Sequence, residues 1–434
     1  MRPAITLLGA VLLASGCAQV GVPSEPTSAA TTTTTPPTSI VSPAVDPGGS
    51  STAPASVAPA SAATPTATAS DDAKPAGDRW VEAGTLHVGR YSVTQLAVLD
   101  ETGEVLAVGS DRACGLENEA SDTTELYDMD TGSWQPGPRM PTGRHGPVVA
   151  ALGDRVLVTG GSNEEFVAKS GTVLYDPNAR TWSPSGPLNT ARMDPAISVL
   201  SGGRVLVAGG LLINLDFTGR ALDTGEIWDP GAGTWARTAK LSGPRYGPEA
   251  VTLDDGRLLV VGGLPVWGAD DQRRSAELYD PVTGGWKAAG QLAETPTWIS
   301  LVATSGGALA VYAPTDGRAL RAEWFDPDKM AWSPAGDPGM PIGEGRAVAV
   351  TLRDDRVLVV SGDQARIFEP GGTWTRARSI PDGPRNDASG VLLPDGSVLV
   401  AGGWSIGPPL GETGGCETPN YQAWRYIPAP EGSE

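Results

Sequence analysis

The chain has 434 residues, with 31 Lys and Arg against 50 Asp and Glu and a formal net charge of −19. Residues 1–78 hold two basic and five acidic side chains, which leaves 29 basic and 45 acidic residues, or −16, on the remainder; nucleic acid and anionic lipid headgroups are poor partners for such a surface. Glycine (57) and proline (39) are abundant, no helical periodicity stands out, and no apolar stretch has the ~20 residues of a spanning helix, so everything from Arg79 onward reads as soluble.

Met1-Arg2-Pro3 is followed by an apolar run from Ala4 to Ala14 and then by Ser15-Gly16-Cys17, the layout of an export signal too short to cross a bilayer. The segment Leu13-Ala14-Ser15-Gly16-Cys17 resembles the bacterial lipobox. That resemblance implies removal of residues 1–16, diacylation of Cys17 and residence on the extracytoplasmic face of the cell membrane, the alternative being a plain signal peptide with Cys17 incidental. From Ala18 to Asp78 the chain is almost entirely Ala, Ser, Thr, Pro, Val and Gly, including the run Thr31 to Thr35. Its apolar area is too small to offset chain entropy, so residues 17–78 read as a disordered, lipid-anchored tether, with a composition that also suits an O-glycosylated stalk.

Repeats organise the rest. Trp80, Trp134, Trp182, Trp235, Trp286, Trp332 and Trp374 recur at intervals of 54, 48, 53, 51, 46 and 42 residues, the spacing of four-stranded propeller blades. Each interval opens with an Arg near a turn and an apolar strand such as GPVVAAL. Tight turns (LGDR, SGGR, DDGR, PDGS) then lead into a second apolar strand (RVLVTGG, RVLVAGG, RLLVVGG, SVLVAGG), predicting buried hairpins. Double glycines at 160–161, 209–210, 262–263 and 402–403 end that strand. A third strand closes on an aromatic-acidic pair: Tyr127-Asp128, Tyr175-Asp176, Trp228-Asp229, Tyr279-Asp280, Phe325-Asp326 or Phe368-Glu369.

Double glycine, aromatic-acid and Trp in this order resemble the kelch repeat, and the resemblance covers residues 79–428, leaving 429–434 as a short tail. It implies an all-β, seven-bladed β-propeller, related in fold to the central propellers of galactose-oxidase-type enzymes. Some copies depart from the pattern: Gly109-Ser110 in the first, Ala313-Pro314 in the fifth, Ser361-Gly362 in the sixth, and YQAWRYIP in the seventh where the aromatic-acidic pair belongs. The seventh copy runs out after its third strand, so the strand of Trp80 is expected to complete the last blade and close the ring, leaving no exposed sheet edge. Cys114 and Cys416 follow the second strand of the first and last copies, which are neighbours only in a closed ring. In an exported protein they are expected to form a disulfide, the alternative being two free thiols.

Two sets of residues are candidates for ligand binding. Arg90, Arg144, Arg192, Arg245, Arg346 and Arg385 recur in the inter-blade turns, with Thr297 near that place in the fifth copy. They form either a positive collar suited to an anionic group or, as repeat residues, bonds to loop carbonyls and neighbouring acids. Phe166, Phe217, Trp267 and Trp404 lie on longer loops and are not demanded by the repeat; they are candidates for stacking on sugars or for a protein hot spot, unless they pack on their own blades. The chain has two histidines, His87 and His145, and no His or Cys cluster, so no metal or cofactor is expected. Asp254-Asp255 and Asp354-Asp355 fall in hairpin turns, where Asp serves turn geometry.

These features point to a monomeric, non-enzymatic recognition module for a protein or glycan of the cell envelope, with the membrane touched only through its lipid. The rival is an exported sugar-processing enzyme resembling the sialate mutarotase or the carbohydrate oxidases built on the same repeat. A carboxylate of perturbed pKa beside the collar favours the enzyme; a shallow aromatic rim favours binding.

Overall fold

The structure is a computed structural model and describes residues 77–90, 95–109, 120–216, 218–265, 274–315, 317, 319–406 and 417–429. Strand β1 (Arg79–Thr85) comes first in the chain but belongs to the last blade. Blade 1 is β2 (Gln95–Leu99), β3 (Glu104–Val108), β4 (Thr124–Asp128) and β5 (Ser133–Pro136). Blade 2 is β6 (Val148–Ala151), β7 (Val156–Thr159), β8 (Thr172–Asp176) and β9 (Thr181–Ser185). Blade 3 consists of β10 (Ala196–Val199), β11 (Val205–Ala208), β13 (Gly219–Asp229) and β14 (Thr234–Arg245), and β12 (Leu211–Ile213) pairs with the start of β13. Blade 4 is β15 (Glu249–Thr252), β16 (Leu258–Val261), β17 (Ser275–Asp280) and β18 (Gly285–Gln291). Blade 5 is β19 (Pro296–Thr304), β20 (Gly307–Pro314), β21 (Arg321–Asp326) and β22 (Ala331–Pro334). Blade 6 is β23 (Val348–Thr351), β24 (Val357–Ser361), β25 (Gln364–Phe368) and β26 (Trp374–Ala377). Blade 7 takes β27 (Ser389–Leu392), β28 (Val398–Ala401) and β31 (Gln422–Ile427) and is completed by β1, while β29 (Trp404–Ile406) and β30 (Glu417–Pro419) form a separate small hairpin. All the strand pairs within a blade are antiparallel, as the hairpin turns predict.

The chain is therefore a seven-bladed β-propeller whose ring closes through β1, as the sequence predicts. Neighbouring innermost strands touch all the way round, from β2 through β6, β10, β15, β19, β23 and β27 back to β2. The described residues form seven apolar clusters that each span two adjacent blades, including one that joins blade 7 to blade 1 through Leu399, Ala401, Val105 and Tyr127. Each blade thus buries both faces against neighbours, which explains why the second strand of every copy is an unbroken apolar run.

The periodic tryptophans stitch the outer edge. Each indole packs on the aromatic of the third strand, with ring centroids 5.0–5.2 Å apart in six blades. In the seventh copy that aromatic is Tyr426, paired with Trp80 and opposite Val398, and Ile427 stands where other copies have an acid. The indole N–H then donates to the preceding blade: Trp134 to Ala83 O at 2.9 Å, Trp182 to Pro138 O at 2.8 Å, Trp374 to Ala335 O at 2.7 Å, and at the closure Trp80 to Arg378 O at 2.7 Å. The double glycines are required by close approach. Gly160 and Gly161 have φ of +67° and +81°, and a Cβ on them would lie 2.8 Å from Arg192 O of the next blade and 2.5 Å from His145 O.

Candidate functional site

Five of the collar arginines turn out to be architecture. Arg90, Arg192 and Arg245 are at most 2% exposed and share one set of partners. Nη1 of each donates to the carbonyl of the first glycine after the second strand: Gly109 at 2.5 Å, Gly209 at 2.7 Å and Gly262 at 2.6 Å. A third-strand glutamate completes each lock, Glu125 at 3.2 Å, Glu226 at 2.7 Å and Glu277 at 2.9 Å. Burial lowers the pKa of each of these arginines and the glutamate opposes it. Arg385 takes its carboxylate from Asp382 in its own turn at 2.5 Å, and Arg144 bonds only the carbonyls of Gly160 and Gly171, both at 2.8 Å. These five guanidinia are held within their blades, so the collar does not present them to a ligand on the axis.

The glutamates also accept backbone N–H groups from the turn: Glu125 from His87 at 2.7 Å, Glu226 from Asn189 at 2.6 Å, Glu277 from Ser242 at 2.9 Å and Glu323 from Ala293 at 2.9 Å. Proline, which has no N–H, stands at that turn position in blades 2 and 6 as Pro141 and Pro341, and the third-strand residue there is Val173 or Arg366 rather than Glu. Blade 5 keeps Glu323 without an arginine. Its register aligns Tyr312-Ala313, not Ala313-Pro314, with the double glycine, and Pro296 rather than Thr297 with the collar position. Tyr312 supplies the missing donor, its hydroxyl 2.5 Å from Glu323.

Register also corrects Arg346. Val348 pairs with Val360 as Glu249 pairs with Val261 and Val148 with Thr159, so the collar place in blade 6 belongs to Glu344. Arg346 lies two residues further on, at the position of Gly146, Asp194, Gly247 and Asp387, all of which have φ between 42° and 63°. From there its guanidinium reaches past blade 5 to pair with Glu249 of blade 4. The two side chains remain 37% and 26% exposed, in contrast to the sealed collar pairs.

Two further carboxylates flank this bridge. Asp387 accepts the Arg346 backbone N–H at 2.8 Å and the Trp404 indole N–H at 3.0 Å. Asp194 holds the Tyr246 hydroxyl, whose pKa is driven up by that carboxylate's charge, by burial and by the hydrogen bond itself. Burial pushes the Glu249 carboxyl upward while Arg346 pulls it down, and Arg346 is raised by Glu249 first and by Asp387 and Asp194 after it. Three carboxylates and one guanidinium give this four-residue cluster a balance of −2, while the five aligned arginines expected to form a positive collar are buried in their blades.

Of the loop aromatics, Trp404 is 8% exposed and fixed by Asp387. Phe166 is half-buried and stacks on His145 at 5.5 Å and 15°. Both therefore pack on the propeller. Phe217 and Trp267 lie outside the described residues, as do Cys17, Cys114 and Cys416 and with them the expected lipidation and disulfide. His87, half exposed, lies 3.2 Å from Glu125, and Asp255 and Asp354 accept from Arg257 and Arg356 within their turns. Sequence reasoning missed Asp194, Tyr246, Glu249 and Asp387. The available signal was an aspartate two residues after the collar arginine in the third and seventh copies, Arg192-Met193-Asp194 and Arg385-Asn386-Asp387.

No family model matches the chain, and no curated protein matches it. Among solved structures 1025 chains match, so the fold is widely shared and carries no single chemistry. One of these is the structure of YjhT, similar at a TM-score of 0.50 and 14% identity over 68% of this chain and 98% of that one, a likeness of fold.

Proposed function

We propose that this propeller is a kelch-type recognition module, held on the extracytoplasmic face of the cell membrane by a lipid on Cys17 and a flexible tether, which binds an envelope glycan at the axial mouth. The observation that carries the reading is the half-exposed Arg346–Glu249 bridge between two non-adjacent blades, flanked by Asp194 and Asp387. Paired carboxylates accept hydrogen bonds from vicinal hydroxyls, and a cluster of three carboxylates around one guanidinium disfavours carboxylate-bearing sugars. A glycan and envelope-protein binding screen on the purified protein tests it: neutral or amine-bearing glycans are expected among the ligands, with binding lost in Asp194→Asn and Glu249→Gln. Binding unchanged in both variants rejects the mouth as the site.

A second reading, sugar processing, is supported by Glu249. Its carboxyl is raised by burial beside a cation, which suits a group that gives and takes a proton. An anomer-exchange assay on the sugars that bind separates the two readings, since a receptor leaves the exchange rate unchanged. Anchoring has its own test: Cys17→Ser is expected to leave the membrane fraction or to accumulate unprocessed, and fatty-acid labelling that persists in this variant rejects the lipid at Cys17.

A further inference from the structure

Blade 2 contains an arginine socket without its acid. In blades 1, 3 and 4 the socket has three parts: the first-glycine carbonyl, the carbonyl two residues before the glutamate (Thr123, Thr224 and Ser275), and the glutamate itself. Arg144 makes the first two contacts in the same way, from Nη1 to Gly160 O and Gly171 O. Register places Val173 where the glutamate stands. Valine and glutamate have similar volumes, but valine branches at Cβ and does not extend to the guanidinium.

The charge left behind is deeply placed. Arg144 is 2% exposed and its Nε has no hydrogen-bond partner; in blades 1 and 4 the matching Nε donates to the glutamate at 3.2 Å. Burial alone holds the Arg144 pKa down to about 10. Nearby Lys169 adds a second cation, donating to Gly143 O at 2.7 Å, and Glu164 and Glu165 favour its charged form, whereas Arg144 feels burial alone. The Thr142 N–H occupies the position of the Val88 and Thr190 N–H groups, which donate to Glu125 and Glu226 at 3.3 and 3.0 Å. Thr142 is exposed, so the turn at this end of the socket lies at the surface, while Arg144 Nε at its inner end is closed to solvent.

We propose that blade 2 binds a small monovalent anion, on Arg144 Nε and the Thr142 N–H, in the place that a glutamate carboxylate fills in blades 1, 3 and 4. A buried guanidinium without a counter-ion is costly, and three sister sockets in the same chain show what geometry relieves it. Chloride and formate match the charge and size of the missing group.

Thermal unfolding of the full-length protein at constant ionic strength, with chloride or formate replacing bulky gluconate, tests the site. The wild type is expected to gain about 2–4 °C in Tm, as ligand linkage produces for a domain of this size. Val173→Glu, which supplies an internal carboxylate, and Arg144→Met, which removes the charge, are both expected to lose the anion-dependent rise. An equal rise in all three proteins would be a general salt effect and overturns the proposal. If either variant fails to fold, crystals of the wild type grown in bromide decide the matter: an anomalous peak at about 3.3 Å from Arg144 Nε supports the site, and its absence overturns it.

Discussion

Blades 3 and 6 share the order and register of their first three strands but invert the charges of the turn. In blade 3, Arg192, Glu226 and the Asn189 N–H close on one another in a sealed pocket. In blade 6 the corresponding residues are Glu344, Arg366 and Pro341, and no lock forms among them. The bonding cation is Arg346 instead, displaced by two residues to the place of Asp194, and its partner lies two blades away. The backbone ladder thus sets the blade, while the ionic content of the turn is free to change. A pair sealed within one blade is architecture; a half-exposed pair between blades is where a ligand can compete.

Breaking the sealed lock should have the largest effect. Glu226→Ala leaves Arg192 buried and unpaired, so urea unfolding is expected to show a loss of about 3–5 kcal/mol, most of it restored in the double variant Arg192→Met/Glu226→Leu. If Glu226→Ala costs under 1 kcal/mol, the lock is not structural. At the mouth, Trp404→Ala is expected to cost about 3 kcal/mol because the indole is buried and anchored. A rim residue free to meet ligand would leave Tm nearly unchanged, and that outcome would return Trp404 to the binding surface.

Blade 5 sharpens the comparison through pH. Burial and the Glu323 contact raise the Tyr312 pKa, and Tyr246 and Tyr426 are raised beside Asp194 and Asp78. A group whose pKa is higher folded than unfolded stabilises fully below its unfolded value, near 10 for tyrosine, and that stability is lost as pH rises from there through the folded value. Unfolding free energy should therefore fall above pH 10, by about 1.4 kcal/mol per pH unit for each such tyrosine. Tyr312→Phe is expected to be less stable at pH 7 yet to show a shallower fall. An unchanged slope in this variant would show that Tyr312 titrates normally. The smallest stability effect belongs to the open pair: Arg346→Ala should cost at most about 1 kcal/mol, given its exposure, while lowering affinity for a validated ligand at least tenfold. Loss of stability as large as that of Glu226→Ala would make this bridge one more structural lock.

The blade count, the closing strand and the buried second strands were legible because their signals repeat: turn glycines, unbroken apolar runs and a tryptophan every 42 to 54 positions. Pattern-matching blurred where copies drift. In sequence, Tyr426 is hidden by the isoleucine in place of its acid, Ala313-Pro314 falls one residue beyond the true glycine places at Tyr312-Ala313, and Arg346 resembles arginines it does not align with. Only strand pairing separates such cases, because an arginine near a turn looks the same in sequence whether its register is zero or two.

By itself, the sequence determined a repeating all-β architecture, since each blade is built from neighbouring segments and every copy states the same turns and strands. The tertiary structure alone decided which arginines are sealed and which one is free to bridge. Glu249 and Arg346 are 97 residues apart and meet only because ring closure brings the turns of every blade to one axis, where contacts between unlike copies follow no period.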